Sequence, residues 1–98
     1  MLKQIITPAE TENIKKIFSG CKNVVICTHT SPDGDAIGSS LGLYHYLKSL
    51  GKNPTVIVPN YFPDFLRWME GADKIIQYDR NRALSKNIIN MADLICCL

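Results

Sequence analysis

Short apolar runs without polar alternation recur along this chain, and the segments between them repeat their apolar residues at helical spacing. Val24-Val25-Ile26-Cys27 is the first run. An uninterrupted β-branched stretch suits a strand buried on both faces, as in a parallel sheet. Thr55-Val56-Ile57-Val58 predicts a second strand, ended by Pro59, and residues 74–78 and 93–98 predict a third and a fourth. Thr7, Pro8 and Glu10 form the start signal of a first helix, with a capping box and proline at its first position. Ile14, Ile17 and Phe18 give that helix an apolar face, and Gly20 can close it. A second helix is predicted over about 36–50, where Ile37, Leu41, Tyr44, Leu43, Leu47 and Leu50 fall at helical spacing before Gly51. A short helix over 63–69 closed by Gly71, and another over roughly 82–91, complete the alternation. Strands alternating with helices imply right-handed crossovers. The fold class is therefore α/β, a doubly wound, mostly parallel sheet of about four strands with flanking helices.

Composition narrows the picture only slightly. The 98 residues allow one small domain with a single core. A net charge of +2, from 11 basic and 9 acidic residues scattered without runs, lacks the basic stripe of an electrostatic nucleic-acid surface. A small phosphorylated ligand remains compatible with it. Met1 to Ile6 has no sustained apolar core of a secretory signal, and no stretch is apolar for long enough to cross a bilayer. Cys21, Cys27, Cys96 and Cys97 contain no Cys-x-x-Cys spacing for zinc. They are expected to be reduced, buried thiols of a cytoplasmic protein.

Chemistry concentrates in His29-Thr30-Ser31-Pro32-Asp33-Gly34-Asp35, at the carboxyl end of the first strand and the start of the second helix. Open α/β sheets place ligands at that edge, and helix N-terminal amides favour anions there. One imidazole and two carboxylates within seven residues suit a divalent first-row metal such as manganese better than calcium. Two carboxylates this close repel unless a cation lies between them, and a bound cation also lowers the pKa of a water it holds. Spacing alone leaves a second reading open, in which Asp33 and Asp35 cap the helix and His29 is a satisfied strand-end residue. Two other motifs fail. An EF-hand frame starting at Asp33 puts Ile37 and Tyr44 where oxygen ligands are required. Gly34, Gly38 and Gly42, spaced by four, match neither the dinucleotide fingerprint nor a P-loop, and Gly38 and Gly42 are expected to let the helix approach the sheet.

The pattern His-x-x-x-Asp-Gly-Asp-Ala-Ile-Gly-Ser-Ser over residues 29–40 resembles the first motif of the DHH phosphoesterase superfamily. The likeness is strongest to its oligoribonuclease and phosphoadenosine-phosphate phosphatase branch, which is RecJ-like. It continues through Asn60-Tyr61-Phe62-Pro63-Asp64-Phe65-Leu66 and Gly71-Ala72-Asp73-Lys74-Ile75-Ile76 to the last strand. The resemblance implies that His29, Asp33 and Asp35 bind manganese or magnesium in a two-metal site and act on the substrate through it. His29 and Asp33 would share one ion, with Asp35 on the other. The implied substrates are short oligonucleotides or small nucleotide phosphates. The family's second motif, its Asp-His-His motif and its C-terminal substrate-binding domain have no counterpart in residues 1–98, whose only histidines are His29 and His45. The expectation is an N-terminal portion of a DHH domain, inactive alone and prone to dimerise through an unpaired strand edge. A nucleotide- or phosphate-binding module without hydrolysis is the alternative.

Three further features are expected to be structural. Ser39 and Ser40 start the helix, His45 lies solvated or at the core edge, and Phe62, Phe65 and Trp68 form a packing face. Arg67, Lys74, Arg80 and Arg82 are expected to be solvated charges.

Overall fold

The computed structural model describes residues 7–98; the amino-terminal segment read above as lacking a signal core lies outside them. Four parallel strands form one sheet: β1 (Asn23–Cys27), β2 (Asn53–Val58), β3 (Ile76–Gln77) and β4 (Leu94–Cys97), in the order β3-β2-β1-β4. Helices α1 (Pro8–Ser19) and α2 (Gly34–Ser49) lie on one face, while α3 (Arg82–Asn90) meets the other beside Val25 and Thr55. The expected α/β class, parallel sheet and strand count are all present.

Local chemistry accounts for these elements. Glu10 N–H donates to Thr7 Oγ1 and Thr7 N–H to Glu10 Oε2, the reciprocal pair of a capping box. Gly51 takes φ +77°, the left-handed conformation that ends α2. Val24, Val25 and Ile26 are each at most 1% exposed, as a strand covered on both faces requires. Val24, Ile26, Val56 and Val58 meet Ile37, Leu41, Tyr44 and Leu47 of α2 in one core cluster. Burying each such side chain stabilises the fold by about 1.5–3 kcal/mol.

Several expectations are corrected. Helix α2 begins at Gly34, so Asp35 is in its first turn. The stretch 63–69 is a series of tight turns with one 3₁₀ turn, Asp64–Leu66. The third strand shrinks to Ile76–Gln77. Gly71, at φ +91°, sets a turn in which Lys74 and Ile75 N–H donate to Gly71 and Ala72, taking both amides from the ladder. Beyond the strand, Asp79 N–H turns to Pro59 O. On α1 only Phe18 packs against the core, and Ile14 and Ile17 face solvent because no described layer covers that side. Gly38 and Gly42 do not face the sheet. They lie one position beyond Ile37 and Leu41, about 100° round the helix. Cys21 is buried and Cys27 and Cys96 half-buried, but Cys97 is exposed; all four are free thiols. Burial, then the neighbouring thiols, pushes the Cys27 and Cys96 sulfurs up. Among the described residues no helix is long and apolar enough to cross a membrane.

Asp93, just before β4, ties that strand's start to the start of β1. Its Oδ2 accepts from the N–H groups of Lys22 and Asn23, both at 2.9 Å, while its own N–H donates to Asn23 O at 2.8 Å. The bonds from Asn23 and Lys22 hold its carboxyl below the ordinary carboxylate range. The folded chain thus prefers the charged form more than the unfolded chain does. That contribution is complete above the unfolded value of about 3.9 and is lost as pH falls through the lower folded value. Urea midpoints of the wild type and Asp93→Asn should therefore separate near neutral pH and converge below about pH 4. An equal separation at both extremes would show that the charge contributes nothing.

Candidate metal centre

At β1 the strand order reverses. The chain passes through α2 to β2 on one side and returns through α3 to β4 on the other. The loop over 28–33 leaves the carboxyl end of β1 at this switch point, where open α/β sheets bind ligands. Leu98 N–H donates to Cys27 O at 2.9 Å, so the end of β4 lies beside the root of the loop.

The loop is anchored from within and from β2. Pro32 is fully buried and Thr28 is 8% exposed. Ser31 adopts φ +51°, a left-handed conformation that costs a non-glycine residue about 1–2 kcal/mol. Its N–H donates to Asn60 Oδ1 at 2.7 Å, and Asn60 Nδ2 reaches Ser31 Oγ at 3.4 Å. Such bonds contribute about 1 kcal/mol each and offset the strain. Sequence reasoning gave Asn60 no role; its signals were its place at the carboxyl edge of the second strand and in the stretch that carries the resemblance.

His29, Asp33 and Asp35 are all exposed. His29 Nδ1 lies 2.7 Å from Thr30 O. A carbonyl only accepts, so Nδ1 is the donor here, and in the neutral ring Nε2 then carries the lone pair that a metal ligand needs. Asp33 is the N-cap of α2, with Oδ1 accepting from Ala36 N–H at 2.9 Å, while Oδ2 has no partner among the described residues. Asp35 has neither a hydrogen-bond nor an ion-pair partner among them. Among the described residues no three His, Cys, Asp or Glu side chains converge closely enough to hold an ion. The loop thus brings the donors to one edge without gathering them. One imidazole lone pair and two carboxylates on exposed side chains nonetheless match the donor chemistry of a divalent ion. Ser40 does not join them: it is buried and donates to Ala36 O at 2.7 Å.

The segment after β2 runs beside this loop and along α2. A Cβ on Gly34 would stand 3.8 Å from Leu66 Cδ2, and one on Gly38 3.6 Å from Met69 Cε. His45 Nε2 donates to Glu70 O at 2.7 Å, which fits its place at the core edge. Arg67 is not simply solvated, since its guanidinium lies 4.6 Å from the ring centroid of buried Phe62 and its Nε pairs with Asp64 at 2.9 Å. The expected aromatic packing face is overturned. Only Phe62 is buried, and Phe65 and Trp68 are 73% and 79% exposed.

The sequence profile described as DHH family, N-terminal domain, matches residues 23–97. A bifunctional oligoribonuclease and PAP phosphatase, NrnA of Thermus thermophilus, is 54% identical over 46 residues, which cover 47% of this chain and 14% of that enzyme. The crystal structure of an exopolyphosphatase-related protein from Bacteroides fragilis superposes with a TM-score of 0.94 at 52% identity, covering 99% of this chain and 28% of that one. The matched residues therefore cover less than a third of the length of either relative.

Asp33 can be tested for cap and ligand separately. Asn caps as well as Asp, whereas Ala loses about 1 kcal/mol. Without metal, Asp33→Asn should match the wild type in urea stability and Asp33→Ala should fall below it. Manganese binding should be lost in both, and undiminished binding by Asp33→Asn would leave the cap as its sole role.

Proposed function

The chain belongs to the DHH family, and on that premise we propose that it supplies the first ligand loop of a divalent-metal phosphoesterase acting on short oligonucleotides or small nucleotide phosphates. The observation that carries the reading is the 29–35 loop at the switch point of the sheet, with His29 held as the Nε2 lone-pair tautomer and two exposed carboxylates beside it. His29 and Asp33 would hold one manganese or magnesium ion and Asp35 a second. When bound, such ions supply Lewis acidity and an activated water. The chain's own residues keep the donors in place: Thr30 O fixes the His29 tautomer, Asn60 holds the Ser31 turn, and the cap orients Asp33. The first turn of α2 offers its amides to an anionic phosphate.

Two ions need clamping from several loops, so three donors on one loop form only part of a catalytic centre. The hydrolytic activity is proposed for the intact protein, and residues 1–98 alone are expected to be inactive. The substrate class follows from the Thermus relative, whose name carries both activities. A module that holds a nucleotide phosphate without cleaving it is the rival reading, favoured by donors that the described structure leaves apart.

Two measurements test the proposal. Calorimetry should show weak manganese binding by residues 1–98 that vanishes in the Asp33→Asn, Asp35→Asn double variant. In the intact protein, manganese-dependent hydrolysis of a 5′-phosphorylated dinucleotide should fall with His29→Ala. Outer-shell partners alone are worth 10–100-fold, so losing a ligand should cost roughly a hundredfold or more in kcat/KM. Tight dinucleotide binding with no metal-dependent turnover would establish the rival.

A further inference from the structure

We propose that Phe65 and Trp68 form a stacking platform for a nucleobase of the substrate, so that the site selects base-bearing phosphates over polyphosphate. The inference rests on the phosphoesterase reading for the position of the phosphate. It goes further by choosing between the two substrate classes named in the relatives, an oligoribonuclease and an exopolyphosphatase-related protein.

Four observations carry it. Phe65 and Trp68 are the two most exposed large apolar residues among those described, at 73% and 79%. Successive turns, with Leu66 N–H to Pro63 O, Arg67 N–H to Asp64 O and Met69 N–H to Leu66 O, give this stretch a three-residue repeat. Residues three apart eclipse in such geometry, so Phe65 and Trp68 share one face while Leu66 and Met69 share the face against α2. The stretch is also rigidly held: Asn60 bonds Ser31 at one end, His45 bonds Glu70 O at the other, and Phe62 is buried between them under Arg67. Ordering two aromatic rings in water has no packing benefit, so a fixed exposed pair marks a binding surface.

Position selects the occupant. Leu66, next to Phe65, packs on Gly34, the residue between the two carboxylates Asp33 and Asp35. On its inner side Trp68 walls a hollow of about 270 Å³ beside Gly38 and Gly42, shared with Met69 and His45. A nucleoside attached to a phosphate held at the loop would extend past Leu66 toward Phe65. Area argues against a second copy of the chain. A Phe and a Trp bury at most about 500 Å² together, well short of the ~800 Å² per partner of a stable interface. Base–aromatic stacking needs no more than one ring face and tolerates any base.

Trp68 is the only tryptophan in the 98 residues, so its emission reports the platform directly. Titration of residues 1–98 with a 5′-phosphorylated diadenosine dinucleotide should quench that emission saturably, and tripolyphosphate should not. In the intact protein, Phe65→Ala and Trp68→Ala should each lower kcat/KM for the dinucleotide about tenfold and leave tripolyphosphate turnover within about twofold, the scale of one lost stack. Both side chains are exposed, so neither substitution threatens the fold. Equal losses on the two substrates, no loss on either, or no quench would overturn the platform. So would a shift of the variants to a smaller species in sedimentation, which would assign the pair to a second copy. Failure of the phosphoesterase reading looks different: neither substrate is turned over with manganese, and the quench alone then decides whether the base stacks.

Discussion

Strand β1 is the constraint on which everything else in this chain rests. It pairs with β2 along its whole length and with β4 over Val24 to Cys27, so its backbone is satisfied on both edges. Its side chains are covered on both faces, with Val25 towards α3 and Val24 and Ile26 towards α2. A polar residue at any of these positions would leave a buried group without water, at a cost of about 1–3 kcal/mol or more. The amino end of the strand is fixed by the Asp93 carboxylate on Lys22 and Asn23, and the carboxyl end by Leu98 N–H on Cys27 O. Whatever leaves β1 therefore starts from a point that cannot slide. The candidate donor residues begin two positions later, at His29.

That fixed origin explains how one aspartate can serve two purposes. A helix start needs an oxygen to accept the amide three residues on, and Asp33 Oδ1 does this for Ala36. A carboxylate has a second oxygen, and on this exposed side chain it has no partner among the described residues. Cap and metal ligand are thus compatible roles for one carboxylate. His29 follows the same logic. Its Nδ1 proton is committed to the neighbouring carbonyl, which leaves Nε2 as the only nitrogen with a lone pair. The local bonds of the loop constrain these donors while leaving open the positions a cation would use.

How much of this was legible depended on whether the signal was local. The strands β1 and β2 and the cap of α1 are written in contiguous residues: Val24-Val25-Ile26, Thr55-Val56-Ile57-Val58, and Thr7 with Glu10. The chain recovers them because β-branched runs and capping pairs act over a few positions. The loop itself was also legible, since three donors, one imidazole and two carboxylates, fall within seven residues. The shortened third strand was not. Lys74-Ile75 has strand-like composition, but a left-handed glycine three residues earlier removes its amides from the ladder. The aromatic run failed for a related reason. A spacing of three reads as one face, but here Phe62 precedes the repeat and turns inward, while Phe65 and Trp68 turn out. Asn60 was invisible because its partner lies 29 residues away.

Those non-local contacts are what join the two halves of the site. The donor loop comes from the β1–α2 junction and the aromatic stretch from the β2–β3 junction, two separate pieces of chain. Parallel neighbours place both junctions at the same edge of the sheet, because every strand of a parallel sheet ends on the same side. Asn60 then fixes one junction against the other through the backbone of Ser31, and Gly34 and Gly38, lacking side chains, let Leu66 and Met69 approach α2. The contacts of Leu66 with Gly34 and of Met69 with Gly38 thus hold the stretch that carries Phe65 and Trp68 beside the donor loop.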